Sequence, residues 1–151
     1  MPPSRGFAGR AKVALQWLFL ALVLHLAWEI VQLPLYTIYR EGERGAIAYA
    51  VAHCTGGDLL ISLACYALAA EATRSWRWPL ERRRPGIAVA LVAGLAYTAF
   101  SEWLNVSVRG SWAYSEAMPQ VFGIGLAPLA QWLVVPLVSL SVLRAWAGAR
   151  R

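Results

Sequence analysis

Apolar residues run almost without interruption through four stretches of this chain, near 13–35, 46–70, 87–106 and 121–143. Each is long enough to cross a bilayer as a helix, which takes about 20 residues. The polar positions inside these stretches are few and ordered. In the first, His25, Glu29 and Gln32 recur at spacings of four and three, so a helix places them on one face. An ionisable side chain at membrane depth costs roughly 2.5–3.5 kcal/mol on insertion scales. Such groups turn inward, toward partners or a cavity. The second stretch carries His53 and Asp58, the third Glu102 with Asn105 near its end, and the fourth Gln131 beside Trp132.

The pattern predicts an all-α fold, a four-helix bundle spanning the membrane as one domain over residues 1–151. At a rise of about 1.5 Å per residue, His25 lies roughly 18 Å and Glu29 roughly 24 Å from the start of the first span. On the same scale, Glu102 falls at roughly 22 Å and His53 at roughly 20 Å from that face of a ~30 Å core. Gln131 joins this layer, and Asp58 lies nearer the face where the chain begins. Gly56 and Gly57, with Thr55, predict close helix approach or a kink. Pro128 and Pro136 predict a last helix bent around a cavity. The loop from Ser75 to Pro85 carries Trp76 and Trp78, which suit a headgroup zone. Arg109 and Glu116, beyond Asn105, are expected to form an interfacial ion pair.

Composition agrees with this reading: the chain is 59% hydrophobic and 15% charged, with mean hydropathy +0.50. Its net charge of +6 raises nucleic acid as a partner, but the placement of the basic residues argues for topology. Arg5, Arg10, Lys12, Arg74, Arg77, Arg82, Arg83, Arg84, Arg144, Arg150 and Arg151 fall on one side of a four-span chain. Only Arg40, Arg44 and Arg109 fall on the other. The positive-inside rule then puts both termini in the cytoplasm of a multi-pass inner-membrane protein. No nucleic-acid-binding motif accompanies the charge. Apolar residues after a basic N-terminus also suit a signal peptide, but no cleavage site follows promptly, so the first span is read as retained. Cys54 and Cys65, eleven residues apart on one helix, are separated by roughly 16 Å and cannot pair with each other.

Several chemistries fit the polar positions. His25, Glu29, His53 and Glu102 are candidate proton donors and acceptors. Trp28, Gln32, Asp58, Asn105, Gln131 and Trp132 are candidate ligand contacts, the tryptophans because an aromatic face stabilises a cation. The alternative is that His25 and Glu29 form a hydrogen-bonded pair that only fixes packing. A haem between His25 and His53, or a metal held by histidine and carboxylate, is a further alternative. No Glu-x-x-His pairs of a di-iron bundle, nucleophile triad, P-loop, dinucleotide fingerprint or Cys-x-x-Cys occurs. The leading expectation therefore includes no metal and no cofactor.

His25-Leu26-Ala27-Trp28-Glu29, Phe100-Ser101-Glu102-Trp103-Leu104 and Ala130-Gln131-Trp132-Leu133-Val134-Val135-Pro136 together resemble the EXPERA-domain family, the four-helix domain of sterol Δ8–Δ7 isomerase and the sigma-2 receptor. The family's glutamate on the second helix has only His53 and Asp58 as counterparts here, and its asparagine before the last tryptophan is Leu129. A second, local similarity links Gly110 to Tyr114 and Gly125 to Gln131 with the membrane lycopene cyclase domain, whose paired carboxylates fall on Ala130 and Gln131. Both resemblances imply a hydrophobic isoprenoid or sterol-like ligand and carbocation chemistry. They imply an isomerase or cyclase in which His25 or Glu29 gives a proton and His53 or Glu102 takes one. A noncatalytic lipid-binding module is the alternative from the same family, and a homodimer is compatible with either.

Overall fold

The computed structural model of the protein describes residues 4–149. Helix α1 (Ser4–Gln32) ends where Pro34 removes a backbone donor, and one tight turn over Leu33–Leu35 follows. The short α2 (Ile38–Glu41) leads into α3 (Arg44–Thr73), which stops at Arg74 in the left-handed region. A second short helix, α4 (Trp78–Glu81), precedes α5 (Arg83–Glu102). The chain then widens into a π-helical segment, Trp103–Val108, closed by Arg109 N–H donating to Leu104 O at 2.8 Å. A hairpin of β1 (Gln120–Val121) and β2 (Ile124–Gly125) feeds α6 (Leu126–Gly148).

Four of these helical segments are long and apolar enough to cross a membrane: Gly9–Leu35, Arg44–Thr73, Arg83–Val108 and Leu126–Gly148. The distribution of side chains agrees. Leu15, Phe19, Ile30, Leu60, Val92 and Leu137 face outward, whereas His25, Gln32, Ser62, Thr98, Glu102 and Gln131 are buried. Large apolar side chains on the outside, with polar groups kept among the buried residues, suit lipid as the solvent. This is a multi-pass membrane protein with four membrane-length helices among the described residues, in which α1 packs on α3 and α6, and α5 on α3 and α6. His25 meets Ser62 while Trp17 meets Tyr66, so α1 and α3 run antiparallel.

Four expectations need correction. The last span begins at Leu126, because residues 120–125 form the hairpin. Trp78 is not a headgroup residue: it is fully buried, edge-on to Trp17 at 5.1 Å, and its Nε1 donates to Tyr66 O at 3.3 Å. Gly56 and Gly57 do not mediate close approach, since a Cβ at either would meet nothing within 4 Å. Arg109 and Glu116 form no ion pair; among the described residues the pairs are His25–Asp58 and Arg77–Glu81. The close approaches occur at Gly86, under the Trp78 ring, and at Gly94, under the Trp132 ring, where an added Cβ would collide with the indole. Gly94→Val is therefore expected to force Trp132 out of place and lower stability by about 1–3 kcal/mol. A lowered melting temperature in mild detergent checks this; unchanged melting would show that the ring has room to move.

Candidate functional site

The antiparallel register of α1 and α3 brings Asp58 and Ser62 opposite the His25–Glu29–Gln32 stripe. Gln131, in the second turn of α6, reaches into the middle. Its Nε2 donates to Asp58 Oδ2 at 2.8 Å and to Glu29 Oε1 at 3.2 Å, and lies 2.8 Å from His25 Nδ1. Gln32 Nε2 donates to Glu29 Oε1 at 2.9 Å, and Trp28 Nε1 donates to Gln32 Oε1 at 3.1 Å. His25 Nε2 is 3.1 Å from Ser62 Oγ, and its Nδ1 is 3.4 Å from Asp58 Oδ2. The Gln131 amide nitrogen has two hydrogens and faces three acceptor positions. Two hydrogens serve at most two of the three well, so the amide is shared among the His25 ring and the two carboxylates and ties all three together.

A second polar group lies toward the end of the bundle where α1 finishes and α6 begins. Glu102 sits in the last turn of α5 and accepts from Tyr114 OH at 2.5 Å; the same hydroxyl accepts from Gly125 N–H at 2.9 Å. Tyr36 and Trp112 lie close to the same carboxyl. Trp112 Nε1 is buried without a partner of good geometry. Burial pushes the Tyr36 and Tyr114 hydroxyls up from their ordinary range, so both stay protonated as donors. The loop holding Trp112 and Tyr114 is pinned to the end of α1: Thr37 N–H donates to Ala113 O at 3.0 Å and Ser115 N–H to Leu35 O at 2.9 Å. The π-helical segment directly after Glu102 turns the chain into this loop; such segments occur frequently at functional sites.

Both groups open onto one cavity of about 700 Å³. Glu29, Gln32 and Tyr36 line it from α1 and the turn that follows, and His53 and Asp58 from α3. Glu102, Asn105 and Trp112 line it from α5 and the loop, and Gln131 and Trp132 from α6. The volume lies within the 300–1,000 Å³ usual for small-molecule sites. Most of its wall surface is apolar, and Thr98, Ser101, Arg109 and Ser111 add to the polar groups on the lining.

The predicted residues are thus distributed unevenly. Glu29, Gln32, Asp58 and Gln131 meet in one cluster. His25 belongs to it but stands behind the cavity wall, with both ring nitrogens taken, and its ring is 5.1 Å from the Trp132 ring. Trp28 also sits behind the wall, holding Gln32. His53 does not share the His25 layer. It lies more than a turn along α3, exposed and stacked on Tyr49 at 5.5 Å. Asp58, expected below the common layer, meets the stripe from α3 together with Ser62. The short connection between α1 and α3 sets a register that simple counting of rise does not give. Asn105 lines the cavity while its Nδ2 donates to Ser101 O at 2.9 Å.

A haem held between His25 and His53 does not fit, because neither nitrogen of His25 is free and the two residues share no layer. Among the described residues, no three histidine, cysteine or acidic side chains are placed to hold a metal ion. Ser62 and Tyr114, which complete the two groups, carried no periodic signal. Ser62 follows Asp58 by one helical turn, the spacing by which it could have been found. The chain matches no protein-family model, no curated protein and no solved structure.

Proposed function

We propose that the cavity binds a hydrophobic isoprenoid or sterol-like lipid and moves a double bond in it, or closes a ring, by adding and removing protons. The observation that carries this reading is that carboxyl groups at two separate places, Glu29 beside Asp58 and Glu102 beside Tyr114, line one cavity that opens between the helices and the loops at one end of the bundle. In the scheme, Glu29 gives its proton to an alkene carbon, and the electron pair of the double bond forms the new C–H bond. The neighbouring carbon becomes positive beside the Trp132 ring face. Glu102 removes a proton from an adjacent carbon, and that C–H pair becomes the new double bond. Where a second alkene of the same lipid attacks the cation first, a ring closes before the proton leaves. One carboxyl has lost a proton and the other has gained one, so the pair resets by exchange with water. His25 and Gln131 are positioning residues that orient Glu29 and Asp58. The bound lipid itself has to fill the cavity to keep water from the cation.

The resemblance to the EXPERA domain and the local similarity to the lycopene cyclase domain support the same ligand class, and the placement of basic residues supports cytoplasmic termini. A noncatalytic lipid-binding role is the second reading, favoured by one observation: the Glu29 cluster is hydrogen-bonded within the protein on several sides.

Deuterium separates the two readings. Protein purified with its own lipid and placed in D2O is expected to introduce deuterium into that lipid, seen by mass spectrometry of the extract. A bound lipid that gains none would remove the catalytic reading and leave the binding one.

A further inference from the structure

The hairpin that leads into α6 turns through Phe122 and Gly123, with φ of 50° and 77°. A two-residue loop with positive φ at both positions favours Asn-Gly or Gly-Gly, and a bulky side chain is strained in the first of them. Yet Phe122 is 100% exposed, so it buries nothing against the protein in return. Its neighbours Val121 and Leu126 are open as well, and no charged residue occurs between Ala117 and Leu143. The hairpin pairs its own backbone, and Leu126 N–H donates to Pro119 O at 2.8 Å. The fourth membrane-length segment starts at Leu126 itself.

From this we infer that the hairpin is a lipid anchor, with Phe122 seated among the acyl chains of the leaflet at this end of the bundle. An uncharged hairpin with internally paired backbone, continuous with a membrane span, can enter the interface without leaving polar groups unmet. A strained aromatic residue at its tip is stabilised there by lipid rather than by protein. Because Gly125 N–H also donates to Tyr114 OH, the anchor fixes the hairpin against the loop over the cavity. This inference does not depend on what the cavity binds.

Nitroxide accessibility in lipid nanodiscs tests it. Labels are placed at Phe122→Cys and, as an aqueous control, Glu116→Cys, with Cys54 and Cys65 replaced by alanine. The label at 122 is expected to relax more with oxygen than with a water-soluble nickel chelate, and the label at 116 the reverse. Matching behaviour at both positions would overturn the inference. So would dipolar coupling between two labels at 122, which would seat Phe122 on a second copy. Phe122→Asn provides the check on folding. Asn-Gly suits the turn, so this variant is expected to melt no lower than the parent while a label at Val121→Cys shifts toward the nickel chelate. A marked loss of stability would mean that Phe122 serves the fold instead of the lipid.

Discussion

Glu29→Gln is expected to lower deuterium incorporation into the bound lipid by about 10²- to 10⁴-fold, the usual contribution of a positioned proton donor, while leaving the amount of bound lipid unchanged. Glutamine keeps the shape of the side chain and can still bond Gln32 and Gln131, whose amides now contact Glu29 Oε1. What it lacks is a transferable proton. The cavity walls are otherwise unaltered, so ligand retention and proton transfer separate cleanly in this variant. Loss of the lipid together with the exchange would make Glu29 a binding residue. Unchanged exchange would move the proton donor elsewhere, to Asp58 or Glu102.

Trp78→Ala is expected to cost about 3–5 kcal/mol of stability, the range for removing a buried large aromatic. The indole fills the space between Trp17, Tyr66 and the backbone at Gly86, where no side chain beyond hydrogen fits. Alanine leaves that space empty and leaves Tyr66 O without its indole donor. Trp76, two residues earlier and 41% exposed, is the natural control; its replacement by alanine is expected to stay near about 0.5 kcal/mol, as at other surface positions. Thermal melting of both variants in mild detergent checks the contrast. Equal losses would mean that the end of the bundle under α4 is not packed as described.

Much of this architecture was legible in the sequence because the hydrophobic effect acts on long windows. Four apolar stretches gave four helices, and the spacing of His25, Glu29 and Gln32 gave the buried stripe. Most of the failures share a cause, since they depended on contacts between segments distant in the chain; the start of the last span and the Arg109–Glu116 pair were local misreadings. His53 and Asp58 are polar residues of one helix, and only the register against α1 decides which joins the stripe. Trp76 and Trp78 have the same composition signal, and only the path of α4 decides which is buried. Gly56-Gly57 looked like an approach site as an adjacent pair, yet the approaches occur at single glycines, Gly86 and Gly94, facing an indole. The partnership of Glu102 with Tyr114 was hidden because it spans a π-helical segment and an irregular loop, where no helical periodicity applies.

The most direct measurement is native mass spectrometry of the protein released from mild detergent, with the small molecules that leave it identified. A stoichiometric isoprenoid or sterol-like lipid is the result this account predicts. A haem or metal mass, or a protein carrying nothing, would contradict it.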